Sequence, residues 1–179
     1  MQNLNGDWII EIMSQPEWSD EVLDLLELCK LERVEAMGDY TQEFYIEKYD
    51  IELGFSEYLK SKKQKEKAEE GNLYFQEISF YKNCTIPLPF GLKLGDSRKV
   101  VRRKIYENAK ILHLFQWDYI DNFLLEDKDK IYFFKPEYTD DLDKKLVDIV
   151  AFTWDTNMDL NKNYMKDKIS IEEALKGEI

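Results

Sequence analysis

The chain holds one histidine, His113, and two cysteines, Cys29 and Cys84, among its 179 residues. These are the side chains most often recruited as nucleophiles, proton carriers and zinc ligands near neutral pH. His113 lies in Ile111-Leu-His-Leu-Phe115. Strand alternation puts it on one face with Ile111 and Phe115 and predicts a partly buried, hydrogen-bonded structural residue. Neither cysteine has a basic or histidine neighbour in sequence that would lower its pKa, and both sit in apolar stretches that suit buried thiols. A structural zinc site needs four N/S ligands, which one histidine and two separated cysteines do not supply.

Carboxylates are abundant, with 37 Asp and Glu. Asp127-Lys-Asp129 begins like a calcium loop, but Tyr132 stands where the loop needs glycine and Tyr138 where it needs a bidentate glutamate. Gly91 and Gly95 are not followed by Gly-Lys-Ser/Thr, and no three-glycine run opens the next helix, so no phosphate cradle is predicted. Asp118 and Asp121 could in principle serve as a glycosidase acid and base. Such adjacent pairs arise by chance in so acidic a chain. The sequence therefore predicts no catalytic set, no metal site and no cofactor.

The same acids stand beside large aromatics, and this pattern suits binding. Trp117, Asp118, Tyr119 and Asp121, then Glu126, Asp127 and Asp129, then Tyr138, Asp140, Asp141 and Asp143 form three clusters. Carboxylates steer and orient an incoming partner, while Tyr and Trp supply rigid contact area. These eleven residues are the predicted docking surface for a basic protein. With 25 Lys and Arg the formal net charge is −12, which argues against nucleic acid or an anionic membrane as the main partner.

Two short stretches run against the overall sign. Residues 60–70 hold five lysines against three glutamates and read as a solvated loop. Residues 93–104 hold six basic residues against one aspartate, interleaved with Val100 and Val101, and read as a helix with one basic, solvated face.

The elements that would carry these residues follow from caps and periodicity. Ser19 is a plausible N-cap for a helix running to about Arg33, with Asp20 and Glu21 in its first turn. Residues 44–49 and 51–55 read as two strands around a tight turn at Asp50, and residues 73–81 as a third. Pro87-Leu-Pro89 predicts extended chain before a second helix over about 98–108, capped by Asp96 or Ser97, with Asn108 suited to a left-handed end. Strands follow at about 111–118, 122–126, 130–135 and 145–154. Ser170-Ile-Glu-Glu173 has the form of a capping box for a short last helix ending at Gly177.

The predicted class is α+β. It comprises two similar halves, residues 1–86 and 87–156, each a helix packed on a three- to four-stranded antiparallel sheet, then a tail over 157–179. Ser19-x-x-Val22 repeats as Ser97-x-x-Val100, which suggests a duplication.

Residues 87–103, PLPFGLKLGDSRKVVRR, together with Trp117-Asp118 and the apolar closing strand at 146–152, resemble a group of small bacterial proteins encoded beside polymorphic toxins and regarded as their immunity proteins. The helix start is also similar to the helix-and-sheet unit of the β-lactamase inhibitory protein, which carries that unit twice. The resemblance implies a non-catalytic protein that neutralises a cognate toxin through a binding surface; the acidic charge suits a toxin with a basic active site, such as a nuclease, and the expected compartment is the cytoplasm. A scaffold or adaptor of the same fold without a toxin is the alternative. No apolar run is long enough to span a membrane, and the first ten residues lack the features of a signal peptide.

Overall fold

Ser19 accepts a hydrogen bond from the Val22 amide, and Asp20 and Glu21 occupy the first turn, so α2 (Asp20–Cys29) begins where the sequence predicts. In the computed structural model, which describes residues 3–31, 41–56, 73–127, 130–153 and 168–176, this helix stops short of Arg33. Lys30 adopts the left-handed conformation (φ 57°), and the Lys30 and Leu31 amides bond back to Glu27 and Leu26. That closing pattern ends a helix whatever the periodicity beyond it.

A helix precedes α2 where only an apolar run is legible. Within α1 (Gly6–Glu11), Trp8, Ile9 and Ile10 are buried, and the Asn5 side chain caps the Trp8 amide at 3.0 Å. Asp7 and Glu11, four residues apart, form its exposed side, but six residues are too few for a helical period to stand out in the sequence. Gly6 lets α1 approach the chain at Pro89: a Cβ there would lie 2.4 Å from Pro89 Cδ and 2.6 Å from its nitrogen. Neither atom belongs to a flexible side-chain end. Gly6→Ala is expected to cost about 1–3 kcal/mol, read as a lower urea midpoint at unchanged slope.

Among the described residues, eight strands form one antiparallel sheet: β1 (Thr41–Ile46), β2 (Ile51–Ser56), β3 (Tyr74–Phe80), β4 (Lys110–Gln116), β5 (Asp121–Asp127), β6 (Lys130–Tyr138), β7 (Leu146–Thr153) and β8 (Lys168–Ile169). Their order is β1-β2-β3-β7-β6-β5-β4-β8. The class is α+β, dominated by the sheet. The strands predicted as separate sheets of two halves run in one, because β7 pairs with β3 on one side and β6 on the other.

The second helix, α3 (Arg98–Asn108), has the predicted span. Leu88 is extended (φ −74°, ψ 155°), and Pro89–Gly91 then makes a single 3-10 turn. Asn108 does not take the left-handed cap: Ala109 leaves the helix extended, and the Asn108 amide group bonds the Lys104 carbonyl instead. The capping box of α4 (Ile171–Lys176) forms both reciprocal bonds between Ser170 and Glu173. The four described α-helices contribute side chains to one core with the inward residues of the strands, among them Ile9, Val22, Leu53, Phe80, Val101, Phe134 and Ala174. The alternate residues Phe115, Leu124, Ile131 and Phe133 form a smaller cluster on the other sheet face, with Trp117 and Phe152 packed against it.

Candidate functional site

Helix α3 puts two of its arginines inward. Arg98 and Arg102 stand one turn apart with Val101 and Ile105, and all four are buried. The solvated basic face predicted for this helix is therefore only partly present: Lys99 and Arg103 are exposed, whereas Arg98 and Arg102 enter the protein. What draws them in is Asp121, at the start of β5 and fully buried. Asp121 Oδ1 accepts from Arg98 Nη2 and Arg102 Nη2, both at 2.7 Å, and Oδ2 accepts from Arg102 Nε at 2.8 Å and the Tyr138 hydroxyl at 3.0 Å. The Tyr138 phenol is held well above its ordinary pKa by burial and by the Asp121 carboxylate. A buried charge is tolerated only when its hydrogen-bonding capacity is filled, and this carboxylate meets that condition.

Two guanidiniums face one carboxylate, so the surplus positive charge falls on carbonyl dipoles. Arg98 donates to the carbonyls of Trp117, Trp117's neighbour Asp118, and Ile120, at 2.7–3.0 Å. Arg102 donates to Gln116 Oε1 at 2.7 Å and to the Ala174 carbonyl of α4 at 3.2 Å. Arg98 thus holds the whole β4–β5 turn from beneath. The Tyr138 amide adds a bond to the Tyr119 carbonyl at 2.8 Å, which ties that turn to the neighbouring β6–β7 turn. The β6–β7 turn is ordered by Asp141, whose Oδ1 accepts from the Thr139 hydroxyl and from the amides of Asp143 and Lys144. These bonds hold the Asp141 carboxyl below the ordinary aspartate range, the Thr139 hydroxyl contributing most.

One end of the sheet consequently carries a preset rim. Asp118, Tyr119, Asp140, Asp141 and Asp143 are exposed on it, with Trp117 half-buried behind. Leu142, at the tip, is fully exposed. It escaped the sequence reading because a lone leucine within Asp-Asp-Leu-Asp carries no periodic signal. The structure therefore brings together six of the eleven predicted docking residues. Asp121 and Tyr138 must be removed from that surface: they are buried and committed to the two arginines. Glu126 and Asp127 lie at the opposite end of β5, and Asp129 lies outside the described residues, as does the lysine-rich stretch 60–70.

His113 keeps part of its predicted setting: it is half-buried beside Phe115, but Ile111 does not share its face. A bulge between Ile111 and His113 breaks the alternation, so Ile111 packs in the main core while His113 stands 6.0 Å from the Phe115 ring on the other face. Its Nδ1 has no hydrogen-bond partner among the described residues, and burial followed by the Lys168 charge lowers its pKa. Both thiols are pushed up by burial, Cys29 to about 11. A thiol so protonated is a poor nucleophile. Iodoacetamide at pH 8 is expected to leave Cys29 unmodified in the folded protein and to alkylate it in urea, as mass spectrometry would read. Among the described residues no group of three or more His, Cys, Asp or Glu could hold a metal ion. No described helix is long and apolar enough to cross a membrane.

No family model, curated protein or solved structure matches the chain.

Proposed function

We propose that this protein is an immunity protein that binds and neutralises a cognate bacterial toxin in the cytoplasm, with the acidic rim as its contact surface. The observation that carries this reading is the construction of the rim. Its two turns are fixed from within by Arg98 and from above by Asp141, so acids, Tyr119 and Leu142 are presented without an ordering cost at the moment of binding. The fitting partner has a basic patch around an apolar pocket, as the active site of a nuclease toxin would. The protein would act by occupying that surface and needs no chemistry of its own. The helix-then-strands order of residues 1–86 and 87–156 fits a duplicated unit brought together at β3 and β7.

Co-expression with the product of the adjacent gene tests the proposal. Cells should survive a toxic neighbour with the wild-type protein and die with rim-reversed variants. A harmless neighbour that forms a stable complex would favour the scaffold reading, and no protection together with no complex would remove the immunity reading.

A further inference from the structure

A second acidic feature lies at the far end of β5, about 16 Å from the rim if α3 is taken at 1.5 Å per residue. Here α1, the 3-10 turn, the end of α3 and the ends of β5 and β6 enclose a cleft of about 260 Å³. Asp7, Glu11, Glu126 and Asp127 line it above a floor that includes Phe90 and Tyr132. Asp7 accepts from the Phe90 amide at 2.8 Å, Glu126 pairs with Lys110 at 2.5 Å, and Glu11 is engaged as well. The nearby Lys130 ammonium is spent on the carbonyls of Ile10 and Glu11. Asp127 makes no side-chain hydrogen bond or ion pair among the described residues.

Tyr132 is the informative residue. It is only 3% exposed and its ring belongs to the main core, yet its phenol opens on the cleft and has no hydrogen-bond partner among the described residues. The Asp127 and Asp7 carboxylates, after burial, push its pKa up. A hydroxyl that opens on the cleft offers its acceptor lone pairs to an entering donor, and the carboxylates around it favour a cationic one. The C-terminal end of α3 at Asn108 and Ala109 adds its negative dipole to the same wall. A metal ion is a poor fit, because the carboxylates line the cleft and do not converge on one point. The volume lies below the range of cofactor and drug-sized sites, which leaves room for one cationic side chain or a slender amine.

We infer that this cleft is a recognition pocket for a primary alkylammonium group, with the stem against Phe90 and Tyr132 and the ammonium donating to Asp127 and the Tyr132 hydroxyl. This site is separate from the rim and does not depend on the immunity reading.

Calorimetric titration of the intact protein with cadaverine and with N-acetyl-lysine methylamide tests it, with 1-pentanol and magnesium chloride as controls. Both amines are expected to bind at millimolar concentration or better, and pentanol and magnesium are not. Tyr132→Phe and Asp127→Asn should each weaken the amines about tenfold, the scale of one charge-assisted hydrogen bond, with the urea midpoint showing that both variants are folded. Tighter binding of the lysine amide would assign the pocket to a partner's side chain, and tighter binding of cadaverine to a free polyamine. No amine binding, equal binding of pentanol, displacement by magnesium, or affinities unmoved in both folded variants would overturn the inference.

Discussion

Asp121→Asn is expected to cost about 3–5 kcal/mol of folding stability, the scale for removing one partner of a buried ion pair. The substitution keeps the volume and one carbonyl oxygen but withdraws the charge that faces two guanidiniums with side chains no more than 5% exposed. One acceptor oxygen becomes an NH2 pointed at donors. The loss should be read from urea denaturation as a fall in midpoint at constant slope. Tyr138→Phe supplies the internal scale, since it removes one hydroxyl bond to the same carboxylate and should cost nearer 1 kcal/mol. If Asp121→Asn cost no more than Tyr138→Phe, the cluster would be held by its carbonyl contacts and the carboxylate would be incidental.

The second large effect concerns the rim. Reversal of Asp118, Asp140 and Asp143 to lysine together should slow association with a basic partner by about tenfold or more at low salt, because steering by surface charge acts on the encounter rate. The three were chosen because Asp141 orders the turn and its loss would confuse shape with charge. Stability should change little, since exposed charges away from structural bonds contribute little to it. The wild-type rate should fall as salt rises and the variant rate should not fall with it. Stopped-flow measurement at two ionic strengths separates these outcomes. A variant rate equal to wild type at low salt would leave the acids of the rim a role in solubility alone.

Local signals made much of this molecule legible in advance. Ser19 and Ser170 cap two helix starts through their hydroxyls, Ser97 stands at a third without a side-chain bond, and the aspartate-rich turns mark the rim, because caps and turns are set by residues close in sequence. The features that escaped are long-range. Arg98 and Arg102 look like a solvated face until Asp121, 19 to 23 residues later, is placed against them. The Ile111–His113 bulge has no proline or glycine to announce it, and α1, at six residues, is too short to show a period. The joining of the strands into one sheet depends on β7 reaching β3 across an intervening stretch of more than sixty residues, which no local pattern records.

That central position of β7 also dictates an order of events during synthesis. The strands on either side of it, β3 and β6, are translated earlier, so the middle of the sheet stays open until Thr153 has left the ribosome. Until then the nascent chain carries two partial sheets whose inner edges, β3 and β6, present unpaired backbone and apolar side chains such as Ile78, Phe80 and Phe134. Chains truncated before Leu146 should therefore be substrates for chaperones and proteases, however well their individual hairpins form.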